Sequence, residues 1–289
     1  MLVQQLVNGL TVGSLYALMA LGLTMVYGVL RVLHIAHAAV FTLGAYGGLW
    51  TFAATGSFWL ALLGAMAIAV AAGLAMERWV YWPLLAKPPI ATLIASIGVF
   101  IALEEIYRIV AGPEPHSFSV PLRVRDVRLA GVLVTAPQVL VMAVTVALLV
   151  ALWLFLTRTS LGLALRAVSQ DREMAAACAM NVRRIVRLNF ALGSALAGAA
   201  GVMVGLAFTS VWHYMGFTAG LKGFTAAVLG GIGNIPGAML GGLLLGLTES
   251  LAVGFISPTY KDLIAFVVLI VVLLIRPTGL LGARIQQKV

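Results

Sequence analysis

The chain has 289 residues, 62% hydrophobic and only 9% charged, with mean hydropathy +1.09 and a formal net charge of +9. A soluble domain carries roughly 25% charged residues, so this composition cannot clothe a water-facing surface and excludes a soluble enzyme or binding module. The basic balance does not point to nucleic acid either, because Lys and Arg near span ends are expected on the cytoplasmic loops of any membrane protein.

Stretches without Asp, Glu, Lys or Arg run over 1–30, 32–76, 129–157, 188–221 and 223–248. A spanning helix needs about 20 apolar residues. Spans are therefore expected near 5–29, 37–55, 58–77, 91–111, 136–157, 188–210, 217–233, 237–256 and 260–276. The fold class is an all-α polytopic membrane protein with eight or nine crossings, some broken or re-entrant, forming a single transmembrane domain over 1–289. The opening residues lack a basic n-region, so the first span reads as its own insertion signal. The last apolar run, Leu263–Ile275, is short; helical residues at 258–262 extend it, with Lys261 snorkelling toward the interface.

His34 and His37 are spaced i, i+3. Two histidines do not make a metal site, which needs three or four ligands, and no Cys, Asp or Glu accompanies them; a hydrogen-bonded pair at a span end is expected, and no metal. Residues 104–128 hold four arginines and four carboxylates, whereas 158–187 holds six arginines and two carboxylates. The basic loop and the C-terminal tail (Arg276, Arg284, Lys288) are expected in the cytoplasm and the balanced loop outside. Nine crossings put the N-terminus outside, eight inside. Within the balanced loop, alternation at Val120, Leu122, Val124, Val127 and Leu129 predicts a β-hairpin over 117–134 turning near Arg125–Asp126.

In the basic loop a short amphipathic helix is expected over 169–181, with Ser169 capping, Asp171 and Glu173 in the first turn and Asn181 at its C-terminus. Met174, Ala175, Cys178 and Ala179 form its apolar stripe, suited to a groove on another protein. Cys178 is the only cysteine, which excludes an intramolecular disulfide framework.

Residues 227–246, AVLGGIGNIPGAMLGGLLLG, are as apolar as a span yet hold seven glycines and a proline. Gly237, Gly241 and Gly242 read as a small-residue packing seam. Gly233, Asn234 and Pro236 read as a turn whose free backbone groups need water or protein around them. No nucleotide-binding motif occurs, since GGIGNIPG lacks the Lys-Ser/Thr of a phosphate loop. Glu249 and Lys222 lie deep in apolar sequence, where a charge is expensive. Pairing with a basic group is favoured for Glu249 over proton transport.

The blocks NGLTVGSLYALMALGLTMVYGVL (8–30), IAHA (35–38), FTAAVLGGIGNIPGAMLGGLLLGLTES (224–250), YKD (260–262) and RPTGLLG (276–282) resemble, nearly end to end, the LivH-type permease of bacterial branched-chain amino acid ABC importers. The resemblance implies a multi-pass, non-catalytic inner-membrane subunit paired with a LivM-like second permease. It also implies two cytoplasmic ATPase subunits holding ATP-Mg, no cofactor on this chain, and a periplasmic amino-acid-binding protein facing the hairpin. The 169–181 helix would then couple to the ATPase, with Arg166, Asp171 and Asn181 at matching family positions and Glu173, Met174, Ala175 and Cys178 on the same segment. Departures fall at His34, Ala38 and Ala39, and at Ala179, where the family commonly has glycine. The related substrates amides, urea and small aromatic acids stay open, as do a proton-coupled carrier using Glu249 and a passive channel. Interrupted helices are expected to meet a zwitterion at mid-membrane, with Thr11, Ser14, Tyr16, His37, Ser96, Thr225 and Asn234 lining the pathway.

Overall fold

The computed structural model describes residues 1–121, 127–129 and 132–282. Long helices dominate: α1 (Leu2–Leu30), α2 (His37–Thr55), α3 (Phe58–Met76), α5 (Pro89–Ala111), α6 (Ala136–Arg158), α9 (Val182–Phe208), α10 (Met215–Gly230), α11 (Ile235–Phe255) and α12 (Lys261–Ile275). Shorter pieces are a π-turn at Glu77–Tyr81, α4 (Trp82–Leu84), α7 (Ser160–Gln170), α8 (Arg172–Ala177) and a 3₁₀ turn at Pro258–Tyr260. Seven helices are long and apolar enough to cross a membrane among the described residues. The expected eight or nine is reached only by adding α2, which carries His37, three threonines and three glycines, and α10, which has only 16 residues.

The core lies between α1, α2, α3, α9 and α11, around fully buried Leu18, Leu21, Phe41, Tyr46, Phe190 and Met203. Glycine decides how close α11 lies to α1. A Cβ on Gly246 would fall on the backbone of Gly13, and one on Gly242 on the backbone of Ala17. Gly237 and Gly241 do the same against Gly230 on α10. The expected seam is therefore present and longer than expected, because without a hydrophobic drive between helices in lipid, close backbone approach supplies the attraction. The turn falls where Gly233, Asn234 and Pro236 suggested: Gly231 and Gly233 take φ of 108° and 89°, and the Asn234 side chain accepts from Gly237 N at 3.0 Å. The turn is covered by the C-terminal segment, with Leu280 N donating to Leu229 O and Leu281 N to Gly230 O.

Two short antiparallel pairs cap one end of the bundle: β1 (His116–Ser117) with β4 (Ser210–Val211), and β2 (Val127–Leu129) with β3 (Val132–Val134). A hairpin pairing is present between β2 and β3, while the expected turn at Arg125–Asp126 lies outside the described residues. The helix α5 ends at Ala111, as the expected 91–111 span does, so Glu104, Glu105 and Arg108, which also count toward the balanced charges of 104–128, are helical, and Glu105 pairs with Arg108 one turn later.

The two ends of the bundle are chemically distinct. At the hairpin end, Gln4 exchanges two hydrogen bonds of 2.9 Å with the backbone of Leu133, which puts the start of α1 beside β3. At the opposite, basic-loop end, Arg31 donates to Gln170 O at 3.1 Å, the Arg172 guanidinium donates to Leu30 O, and Arg187 pairs with Glu77. Arg31 and Arg172 meet carbonyls left free at helix C-termini, where the helix dipole favours positive charge.

Candidate functional site

Between Leu30 and His37 the chain turns back into the bundle. Arg31 adopts a left-handed conformation (φ 54°) that ends α1. The residue that opens α2, His37, then sits against Gly22 of α1, about 12 Å short of that helix's end at 1.5 Å per residue. The returned segment is held by a buried relay. The His34 Nδ1 nitrogen hydrogen-bonds the Tyr81 hydroxyl, Tyr81 donates to Ser96 Oγ at 2.6 Å, and Ser96 Oγ accepts from Ala36 N at 2.9 Å. Tyr107 adds a bond to Ala39 O at 3.1 Å. The relay gives partners to polar groups that lipid cannot satisfy.

Beside this break lies a cavity of about 610 Å³, within the range of small-molecule sites, about 300–1,000 Å³. Its walls are apolar: Leu23 of α1, Phe100 of α5, and Phe217, Leu221 and Phe224 of α10. Three polar side chains line it, His34, Glu104 and Tyr214. The α5 contribution is one helical stripe, Ile97, Phe100, Ile101 and Glu104, at the i, i+3, i+4, i+7 spacing of a single face. In sequence Glu104 counts toward the balanced charges of 104–128, and its i, i+7 spacing from Ile97 is the signal that places it on this stripe.

The deep charges form a second assembly. Glu249 of α11 receives Lys222 and Lys261, each at 2.9 Å, and the Tyr16 hydroxyl at 2.9 and 3.1 Å. Lys222 also reaches Asp262 at 2.8 Å. Two ammonium groups thus face two carboxylates, the condition under which buried charge is tolerated. Pairing, the favoured reading for Glu249, is what the geometry contains. A further cavity of about 610 Å³ approaches this cluster from the hairpin end, past Gln5, Asn8, Thr11 and Gln138.

None of the seven expected pathway residues lines the cavity at the helix break. Thr11, Ser14 and Thr225 donate to the carbonyls of Val7, Leu10 and Leu221, four residues earlier in their own helices. These hydroxyls are satisfied within their own helices, and Thr11 also lines the second cavity. Tyr16 is engaged by Glu249, and Ser96 by the relay. His37 is fully buried behind the wall, and its ring makes no hydrogen bond to His34; the two rings meet edge to face at 5.5 Å. Asn234 caps α11 and donates to Leu281 O at 2.7 Å, at the basic-loop end rather than at mid-depth.

The basic loop is helical but divided differently from expectation. Asp171, not Ser169, is the cap of α8, accepting from Glu173 N and Met174 N at 2.9 and 3.0 Å. Ser169 belongs to α7 and bonds Arg166 O. Asn181 starts α9 by accepting from Arg184 N, rather than ending α8. The terminator is Ala179, at φ 58°, with Met180 N closing back on Ala175 O at 3.1 Å. The left-handed position explains why glycine is the expected residue there. Ala175 is buried, whereas Arg166, Glu173, Met174 and Cys178 are exposed, so the stripe is split: one residue anchors α8 and the others face outward.

Comparisons with known proteins place the chain in a family. Residues 5–273 match the family described as the branched-chain amino acid transport system, permease component. The high-affinity branched-chain amino acid transport system permease protein LivH of Salmonella typhimurium is 39% identical over 99% of this chain and 97% of its own length. LivH of Escherichia coli K12 is likewise 39% identical, and BraD of Pseudomonas aeruginosa 40%, over the same shares. The chain belongs to the branched-chain amino acid transport permease family, as a multi-pass, non-catalytic transport component.

Proposed function

We propose that this permease passes branched-chain amino acids through the cavity at the α1–α2 break, in an ATP-driven importer of the bacterial inner membrane. In this reading the chain crosses nine times, counting α2 and α10. The hairpin end and N-terminus face outward and receive a periplasmic binding protein. The basic-loop end and the C-terminus are cytoplasmic. A LivM-like permease completes the membrane body, and two ATPase subunits carrying ATP-Mg dock at α8.

The observation that carries the reading is the tie between α8 and the break. Arg172, the first residue of α8, holds the carbonyl of Leu30, and Arg31 holds Gln170. A displacement of α8 therefore acts on the end of α1, and so on the returned segment that walls the cavity, which is the coupling that alternating access requires. The apolar walls suit an aliphatic side chain, and Met174, 63% exposed, supplies an apolar contact for an ATPase groove.

The test is reconstitution of the complete system in proteoliposomes. Leucine uptake should require ATP and the binding protein, and Met174→Glu should release or uncouple the ATPase subunits. Uptake without ATP, or unchanged ATPase association and coupling in that variant, would overturn the proposal.

A further inference from the structure

We propose that Glu104 is the group that receives the α-ammonium of the transported amino acid; this rests on the cavity being the pathway. Glu104 is 9% exposed and lines the cavity. Its Oε1 atom is buried without a hydrogen-bond partner. Glu77 also has an unbonded Oε1, but its Oε2 pairs with Arg187, and Glu249 pairs with two lysines; no ion pair is made by Glu104 among the described residues. Its helical neighbours do not neutralise it, because Arg108 is committed to Glu105 and Tyr107 to Ala39 O.

A buried carboxyl without a partner costs free energy that a cation entering the cavity offsets. Among the described residues, the cavity lining holds no Lys or Arg, and His34 is already bonded to Tyr81. The surroundings of Glu104, Phe100 and Ile101 on its own helix and Phe217 and Leu221 opposite, present hydrocarbon beside one acidic group. That pairing of features fits a molecule with an ammonium group next to a branched aliphatic side chain. It does not fit a neutral amide, urea or an aromatic acid, which bring no cation.

The test uses membranes containing the full chain with its partner subunits, carrying Cys178→Ser and Ile101→Cys. The introduced thiol on the cavity wall is labelled with a maleimide in the presence of leucine, 3-methylbutylamine (no carboxylate) or 4-methylpentanoate (no ammonium). Leucine and 3-methylbutylamine should slow labelling at lower concentrations than 4-methylpentanoate. Glu104→Gln should raise the concentration of the two ammonium compounds needed for half-protection about tenfold or more, and leave 4-methylpentanoate unchanged. Glu104→Asp, which keeps the charge, should retain the preference for ammonium compounds. Equal protection by leucine in wild type and Glu104→Gln, or loss of the preference in both variants alike, overturns the role of Glu104 while leaving the cavity as pathway. Absence of protection by all three compounds overturns the pathway itself.

Discussion

Replacing Glu249 with Gln separates a packing role from a transport role. The substitution keeps the shape, and the amide oxygen still accepts from Tyr16, but the charge facing two ammonium groups is gone. Lys222 keeps Asp262 at 2.8 Å. Lys261, whose side chain is 35% exposed, loses the one ion pair it makes among the described residues. Removing one partner of a buried pair costs about 3–5 kcal/mol; the surviving Lys222–Asp262 pair and the partial exposure of Lys261 put this case at the low end, about 3 kcal/mol. Adding Lys261→Met to Glu249→Gln should then cost less than the sum of the single changes, with a coupling of about 1–2 kcal/mol. Thermal unfolding of the solubilised permease measures these differences, with leucine transport followed in parallel with and without ATP. Residual ATP-driven transport in a less stable protein is expected. If Glu249→Gln leaves stability within about 0.5 kcal/mol, the surface-mutation range, and abolishes transport, the carboxyl acts in proton transfer and the pairing argument fails.

Other expectations are local. Ala179→Gly removes a Cβ from a left-handed position, worth about 1 kcal/mol, and should slow amide exchange at Met180 about fivefold; faster exchange there would refute the strain. Asn234→Ala removes both a helix cap and the bond to Leu281 O, so a loss of about 1–2 kcal/mol is expected, with faster exchange at the Leu280 and Leu281 amides. Gly246→Val drives a side chain into the backbone of Gly13. Overpacking of this kind costs at least about 1–3 kcal/mol, and the monodisperse fraction after size exclusion should fall sharply; an unchanged profile would mean that α1 and α11 are not held at this separation.

Element existence and family were legible in the chain itself. Hydropathy alone separates the spans, because a helix in lipid needs a continuous apolar run. The glycine-rich block reported both a turn and a seam, since a left-handed turn and a backbone contact each admit little but glycine. The charge-poor context of Glu249 announced that it needed a partner, and Lys222 and Lys261 meet that need from residues 27 and 12 positions away. The individual roles within the membrane were less legible. A threonine such as Thr225 looks the same in sequence whether it faces a cavity or its own helix, and here the carbonyl four residues back takes its hydroxyl.

By itself, then, the sequence determined that this is a helical membrane permease, which family it joins, where its helices break and which end is basic. The tertiary structure alone decided what the breaks enclose. The return of residues 31–36 beside α5 and α10 brings Leu23, Glu104 and Phe224 to one cavity, although they are distant in the chain. Which face of a helix in lipid meets protein, and which meets hydrocarbon, is not written in hydropathy, because both environments accept the same apolar side chains.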